Sequence, residues 1–131
     1  MYKRQVLEAI GISQLPDHHF DGVSFLPILK SATTGAERPL FWHYPHYGNQ
    51  GGAPGAAVLL GEWKLLEWFD DSRVELYNLN ADVSETKNAA ESESQRVSEM
   101  LHILHTWQTD VGAKFSAPNP DYNPAKPSGR N

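Results

Sequence analysis

The amino-acid sequence predicts an α+β fold: a four-stranded antiparallel sheet packed against one long C-terminal helix, followed by an extended Pro-rich tail. Two patterns carry this prediction. Four short segments rich in aliphatic and aromatic residues follow one another between turn residues, which is typical of a β-meander. After them, one long segment repeats apolar residues at helical spacing. With 131 residues, 40% of them hydrophobic, the chain has room for one domain with a modest core.

The first part of the chain is predicted to be mostly irregular. Apolar residues at helical spacing predict a short helix over residues 2–10, and Gly11 stands where that helix would end. Residues 15–23 are dense in turn formers, residues 24–30 could form one short helical turn, and residues 31–37 are small and polar. We interpret this part as a surface connector that leads into the sheet.

The meander occupies the middle of the chain. Its strands are predicted at residues 40–44, 56–60, 63–69 and 74–78. Gly61 and Glu62 have the glycine-first order of a type II′ hairpin turn, and residues 70–73 supply a second, polar turn. Apolar and polar residues alternate in the last strand, which predicts one buried face and one solvated face.

The predicted long helix carries an apolar stripe at spacings of three and four residues. The stripe consists of Val97, Met100, Leu104, Trp107 and Val111. Gly112 is expected to end this helix, and Ser92 or Ser94 is expected to cap its start. Such a helix is expected to cover one face of the sheet. Residues 116–131 are polar and rich in proline, which predicts an extended tail.

Charge and composition exclude several classes of protein. With 11 Lys and Arg against 16 Asp and Glu, the formal charge is −5, which argues against nucleic-acid binding because such proteins need a basic surface. The sequence contains no cysteine, so disulfide scaffolds, thiolate zinc sites and cysteine nucleophiles are excluded. No apolar run approaches the ~20 residues of a membrane span, and none is predicted.

The loop between the first two strands, residues 45–56, is the clearest candidate for a binding site. It is rich in glycine and proline yet carries bulky hydrogen-bonding side chains. The candidate substrate-binding residues are His43, His46, Tyr47 and Asn49. These side chains could donate hydrogen bonds to an anionic or sugar-like ligand. In the alternative interpretation, Trp42 and Tyr44 belong to the core and the histidines are satisfied within the fold; the residues alone leave both interpretations open.

Other polar residues are expected to be structural. His102 and His105 share one face of the predicted helix, but no third ligand stands at a diagnostic spacing. We therefore interpret this pair as solvated and not as a metal site. Lys64 is expected to pair with Glu67 or Glu75 across the meander.

Five segments carry a resemblance to a known family. They are FDGVSFLPIL at residues 20–29, RPLFWHYP at 38–45, GEWKLL at 61–66, ELYNL at 75–79 and PNPDYNP at 118–124. Together, and in this order, they closely resemble the C-terminal portion of type I sulfatases of the arylsulfatase A family, in the alkaline phosphatase-like superfamily. The resemblance covers nearly the whole chain.

This resemblance implies a fragment of a longer enzyme. Family members have an N-terminal catalytic domain with a calcium site and a formylglycine nucleophile, made from a Cys-x-Pro-x-Arg or Ser-x-Pro-x-Arg signature. Neither signature occurs in this sequence. No catalytic residue, metal site or cofactor is therefore assigned to this chain, which is expected to be inactive alone. Calcium and formylglycine are implied only for the parent sulfatase.

The resemblance also implies an organisation and partners. Residues 1–37 would connect to the missing catalytic domain, residues 38–115 would form the C-terminal subdomain, and residues 116–131 would form the extended tail. The four candidate residues would line the rim of the substrate pocket. The implied partners are the N-terminal sulfatase catalytic domain and a sulfated small molecule or glycan. Similar sulfatases are exported, which implies a periplasmic or extracellular location.

The sequence departs from the family pattern at two places, and its aromatic residues separately suggest two alternative functions. Residues 82–85 are Asp-Val-Ser-Glu where the family commonly has Asp-Pro-Gly-Glu, and residues 52–57 lack an arginine often found in related stretches. One alternative is a carbohydrate-binding module that uses the aromatic residues near the loop. The other is a purely structural interaction module whose aromatic residues contact the catalytic domain.

Overall fold

The computed structural model describes residues 3–13, 24–31, 37–48, 52–117 and 120–121. It divides the chain into two compact units, Met1–Glu37 and Arg38–Asn131.

The first unit contains two short helices that contact each other. Helix α1 spans Lys3–Ala9 and helix α2 spans Leu26–Ser31. The hydroxyl of Ser24 accepts a hydrogen bond from the Leu26 N–H at 3.1 Å, which satisfies a donor at the start of α2. The predicted turn segment at residues 15–23 lies outside the described residues.

The second unit contains the predicted four-stranded antiparallel sheet. Its strands are β1 (Leu40–Tyr44), β2 (Gly55–Leu60), β3 (Trp63–Trp68) and β4 (Val74–Asn78), in the order β1-β2-β3-β4. All neighbouring strands are antiparallel, so the predicted meander is confirmed. Gly61, in the turn between β2 and β3, has a φ of +59°, as the first central residue of a type II′ turn requires.

The strand register sorts the side chains onto two faces. One row across the sheet contains Phe41, Val58, Leu65 and Leu76. The next row contains Trp42, Ala57, Leu66 and Glu75. Successive residues of a strand point to opposite faces, so these two rows lie on opposite sides of the sheet.

Helix α3 (Ser94–Asp110) covers the first of these faces and completes the α+β fold that the sequence predicts. Met100 and Leu104 pack with Val58, Leu65 and Leu76 in the buried core. Phe41 stacks on Trp107 of the helix, with the ring centroids 4.6 Å apart and the planes nearly parallel. This arrangement confirms the predicted role of the apolar stripe in covering the sheet.

The two ends of α3 differ in part from the prediction. Glu93 occupies the N-cap position without a side-chain capping bond, and Ser94 is already helical. The Ser92 hydroxyl donates instead to the Ala89 carbonyl, so neither serine caps the helix. Val111 is the C-cap residue and is 54% exposed, which removes it from the buried stripe.

The turn after β4, which departs from the family pattern at residues 82–85, is held by a polar network. The Asp82 carboxylate accepts hydrogen bonds from the N–H groups of Thr86 and Lys87, both at 2.8 Å. The bond from the Lys87 N–H is the main reason why the pKa of Asp82 lies below its ordinary value of 3.8. Two residues before Lys87, Glu85 has a φ of +54° and extends its carboxylate to Lys64, with an N···O distance of 2.7 Å.

Lys64 therefore pairs with the turn and not with the two strand carboxylates that the sequence suggested. Glu75 instead accepts from Arg73 at 2.7 Å, and Glu67 faces helix α3. The sheet register excludes Glu67, because Lys64 and Glu67 lie on opposite faces. Glu75 lies on the same face as Lys64 but is paired with Arg73.

Only residues 116–117 and 120–121 of the predicted tail are among the described residues. Within the described ranges, no helix has the length and apolar character that crossing a membrane requires.

Candidate functional site

The candidate site lies at one end of the sheet. Because the strands run antiparallel, the end of β1, the start of β2, the end of β3 and the start of β4 meet there. The segment after helix α3 also reaches this end, since Lys114 contacts His43. The predicted binding loop is therefore surrounded by three other parts of the same unit.

His43, the first predicted site residue, points to the face that α3 covers. Its Nε2 lies 2.8 Å from the Lys114 carbonyl oxygen, and its Nδ1 lies 3.2 Å from Nε2 of Gln108. A neutral imidazole that donates through Nε2 and accepts through Nδ1 satisfies both contacts. Gln108 is only 5% exposed, so His43 also satisfies a buried amide.

Two aromatic side chains hold the His43 ring in place. The ring lies 5.4 Å from the Phe69 ring and 5.0 Å from the Phe115 ring, measured between centroids. Phe69 and Phe115 also contact each other at 5.2 Å. His43 thus joins the end of β1 to the end of β3 and to the segment after α3.

The loop itself is tied to the fold on both sides. At its start, the Pro45 carbonyl accepts a hydrogen bond from the hydroxyl of Ser116. At its end, the Pro54 carbonyl accepts from the Phe69 N–H at 2.9 Å. Between these points, the Gly48 N–H donates to the Gly52 carbonyl at 3.3 Å, so the described parts of the loop fold back on themselves.

His46 and Tyr47 are exposed on this loop. The Tyr47 side chain is 71% exposed, and its hydroxyl donates to the Asp70 carboxylate at 2.8 Å. The His46 ring lies edge-on to Tyr44, with the centroids 5.4 Å apart. The structure therefore brings His43, His46 and Tyr47 to one end of the sheet but gives them different surroundings. Asn49, the fourth predicted residue, lies outside the described residues.

A cavity of about 390 Å³ adjoins this end on the helix side. Its walls include Phe69, Gln108 and Phe115, together with His105 and Glu67, whose ring Nε2 and carboxylate oxygen lie 2.9 Å apart. Sequence reasoning missed this pair, although the strand alternation that buries Leu65 also turns Glu67 toward α3. In the described residues, no group of three or more His, Cys, Asp or Glu side chains could hold a metal ion, so His102 and His105 gain no third ligand.

Comparison with known proteins connects the chain to sulfatases. No protein-family model matches it. A curated relative from Formosa agariphila, named sulfatase, is 30% identical over 116 residues, which cover 77% of this chain and 21% of the relative. The chain thus spans about a fifth of the relative's length.

Solved structures share the fold at lower sequence identity. BT4656, in complex with its substrate D-glucosamine-2-N,6-O-disulfate, superposes with a TM-score of 0.68 at 19% identity, over 85% of this chain and 24% of that protein. BT1596, a 2-O GAG sulfatase, gives a TM-score of 0.64 at 21% identity, over 97% of this chain and 29% of that protein.

Proposed function

We propose that this chain, which is a sulfatase homologue and fits a C-terminal fragment of such an enzyme, is the non-catalytic part of a parent sulfatase. Residues 38–115 support the fold of the parent and supply the rim of its substrate pocket. Residues 1–37 connect them to the catalytic domain, and residues 116–131 follow as a tail. The observation that carries the proposal is the loop after β1, which is tied to the fold on both sides while His46 and Tyr47 stay exposed.

The chemical step takes place outside this chain in the proposed parent. Hydrolysis of a sulfate ester needs a nucleophile and positive charge or donors opposite the sulfuryl oxygens. By the family resemblance, we assign the formylglycine nucleophile and the calcium site to the N-terminal catalytic domain. The 131-residue chain alone is then inactive, because the groups assigned to it only bind and position.

The exposed residues of the loop suit a sulfated glycan. An imidazole and a phenol offer hydrogen bonds to hydroxyl and sulfate groups, and their rings offer flat surfaces to a sugar. We propose that His46 and Tyr47 contact substrate directly, with Asn49 included on the sequence prediction. His43 acts indirectly, because both of its ring nitrogens already contact the protein. A structural neighbour holds a disulfated glucosamine, which supports this class of substrate.

Kinetics of the parent sulfatase test this role. We expect His46→Ala and Tyr47→Phe each to lower kcat/KM by about tenfold to 100-fold. This range corresponds to the loss of one hydrogen bond to a charged group of the substrate. His102→Ala is the matched control, since it removes an exposed histidine on α3, far along the chain from the loop. Asp70→Ala removes the partner of Tyr47 but keeps the hydroxyl, and so separates loop positioning from substrate contact.

Unchanged kcat/KM for His46→Ala and Tyr47→Phe, with every sulfated substrate that the parent hydrolyses, would remove these residues from the pocket rim. A periplasmic or extracellular location of the parent rests on the resemblance alone, and fractionation of the producing cells tests it.

A further inference from the structure

The cavity beside the end of helix α3 has a lining suited to a ligand of its own. Its volume of about 390 Å³ lies within the usual range for small-molecule sites. The lining combines two aromatic rings, a carboxylate, an imidazole and a buried amide, which belong to Phe69, Phe115, Glu67, His105 and Gln108. Apolar walls with a few converging polar groups are typical of a binding site.

The end of α3 shapes this cavity. The Ala113 N–H donates to the Gln108 carbonyl at 2.8 Å, and Gly112 has a φ of +61°, as in the Schellman motif that ends many helices. The chain turns here, and the Phe115 ring then lies against the Phe69 ring, with the centroids 5.2 Å apart. Phe115 is 57% exposed, so a ligand in the cavity would cover apolar surface that now faces water.

The charges around the cavity favour a cation. The Glu67 side chain lines it and is 20% exposed, and the described lining residues include no lysine or arginine. The last turn of α3 also contains no basic residue. Carbonyl groups at a helix C-terminus carry partial negative charge, which attracts cations and repels anions. A sulfate group would be repelled here, so the cavity differs in charge from a sulfate-binding site.

Two acceptors of the lining have capacity left for a ligand. The Glu67 oxygens lie 3.0 and 2.9 Å from Nε2 of His105, which offers them one proton. A carboxylate has about four lone-pair positions, so most of its accepting capacity stays open. Gln108 uses its Nε2 for His43, and in the described part of the chain its Oε1 accepts no hydrogen bond. These acceptors favour a ligand that brings several N–H or O–H donors.

We propose that this cavity binds a small organic ammonium ion. The ammonium group lies beside Glu67 and the end of α3, and its N–H groups donate to Glu67 and Gln108. Phe69 and Phe115 contact the carbon skeleton and add a cation–π attraction. Amino sugars and aliphatic amines both carry this group. The site does not depend on the proposed function, since all of these residues belong to this chain.

Binding of small probes to the 131-residue chain tests the proposal. Glucosamine and cyclohexylamine carry the ammonium group in a buffer that keeps both amines protonated, whereas glucose and cyclohexanol have the same rings without the charge. In an NMR titration, the amines should shift the signals of the Gly112 and Ala113 N–H groups and of the Gln108 side-chain amide. We expect each amine to bind about tenfold or more tightly than its uncharged counterpart. Tighter binding of glucosamine assigns the site to amino sugars, and tighter binding of cyclohexylamine assigns it to aliphatic amines.

A substitution of the carboxylate tests the site itself. Glu67→Gln removes the charge with little change of volume and should weaken the binding of both amines by about tenfold or more. Glu62→Gln is the matched control, because it makes the same change in the turn at the other end of β3. Circular dichroism checks the fold of both variants. If Glu67→Gln unfolds, Phe115→Ala replaces it and should weaken cyclohexylamine binding by about threefold to tenfold.

Four results would overturn the proposal. One is equal affinity of the amines and their uncharged counterparts, and another is undiminished amine binding by the folded Glu67→Gln or Phe115→Ala variant. The third is a set of shifts confined to the loop after β1, which would place the amine outside the cavity. The fourth is displacement of either amine by inorganic sulfate at constant ionic strength, because a cavity that accepts sulfate does not select cations.

Discussion

The two faces of the sheet come from the same four strands and yet have opposite surroundings. On the covered face, Val58, Leu65 and Leu76 are fully buried beneath Leu104 of helix α3. On the open face, the side that α3 does not cover, Trp42 and Tyr44 keep about half of their surface in water. The side of each strand that faces α3 therefore contributes most of the core, while the other side keeps more contact with water. Neighbouring residues such as Leu65 and Leu66 therefore lie on opposite faces, with these different surroundings.

The largest difference between the faces should appear when these two leucines are shortened. Leu65→Ala leaves a cavity beneath α3 and should lower the free energy of unfolding by about 2–5 kcal/mol. Leu66→Ala, on the open face, should cost less than about 1.5 kcal/mol, because the side chain is only partly buried and the site is open to solvent. Urea unfolding of both variants measures the difference, and equal losses would break the distinction between the faces.

The second prediction concerns the histidines at the shared end of the sheet. His43→Ala removes the partner of a buried glutamine amide and should lower the free energy of unfolding by about 1–3 kcal/mol. His46→Ala should change it by less than about 0.5 kcal/mol, as expected for an exposed residue. Thermal unfolding of the two variants checks this contrast. A larger loss for His46→Ala would mean that the loop, and not His43, holds this end together.

The Lys64–Glu85 ion pair, on the sheet face opposite α3, should contribute less to the free energy of unfolding than His43 does. The Lys64–Glu85 pair has side chains that are 26% and 32% exposed, and such pairs contribute at most about 1 kcal/mol. A double-mutant cycle with Lys64→Met and Glu85→Gln isolates the pairwise free energy. A coupling free energy well above this value would mean that the ion pair is shielded from water as in a protein core.

The smallest effect is expected from Asp82, in the same turn, and it should depend on pH. The folded state lowers the pKa of this carboxyl, mainly through the Lys87 N–H. The ionised carboxylate therefore stabilises the fold above its ordinary pKa of 3.8, and this contribution is lost as the pH falls through the lower folded value. Asp82→Asn should be less stable than the unchanged chain at pH 6, and the gap in Tm should shrink below pH 3.8. A gap that does not change with pH would contradict this assignment.

Sequence periodicity predicted the regular elements well, because burial on one face imposes a repeat that can be counted. The bounds of β1 and β4 agree with the prediction at both ends, and α3 lies over the sheet as its stripe required. The N-cap of α3 was wrong because Ser92 donates to the turn before the helix instead of accepting at its start. Such a choice depends on local backbone geometry that the residue types do not determine.

The hydrogen-bond and ion-pair partners of a side chain were harder to predict than the face of the sheet on which the residue lies. Lys64 was expected to pair with a strand carboxylate, but its partner Glu85 belongs to a turn whose positive φ has no signal in the sequence. His43 shows the same limit. Its position at a strand end marked it as a candidate, whereas its bonds to Gln108 and Lys114 depend on how α3 is placed over the sheet.

The measurement that tests the account most directly is sulfate-ester hydrolysis by the purified chain, alone and mixed with the separately produced rest of its parent. A chromogenic aryl sulfate and a sulfated disaccharide serve as substrates. We predict no hydrolysis above buffer by the chain alone and clear hydrolysis by the mixture. Hydrolysis by the chain alone, proportional to its concentration and retained through repurification, would contradict the account.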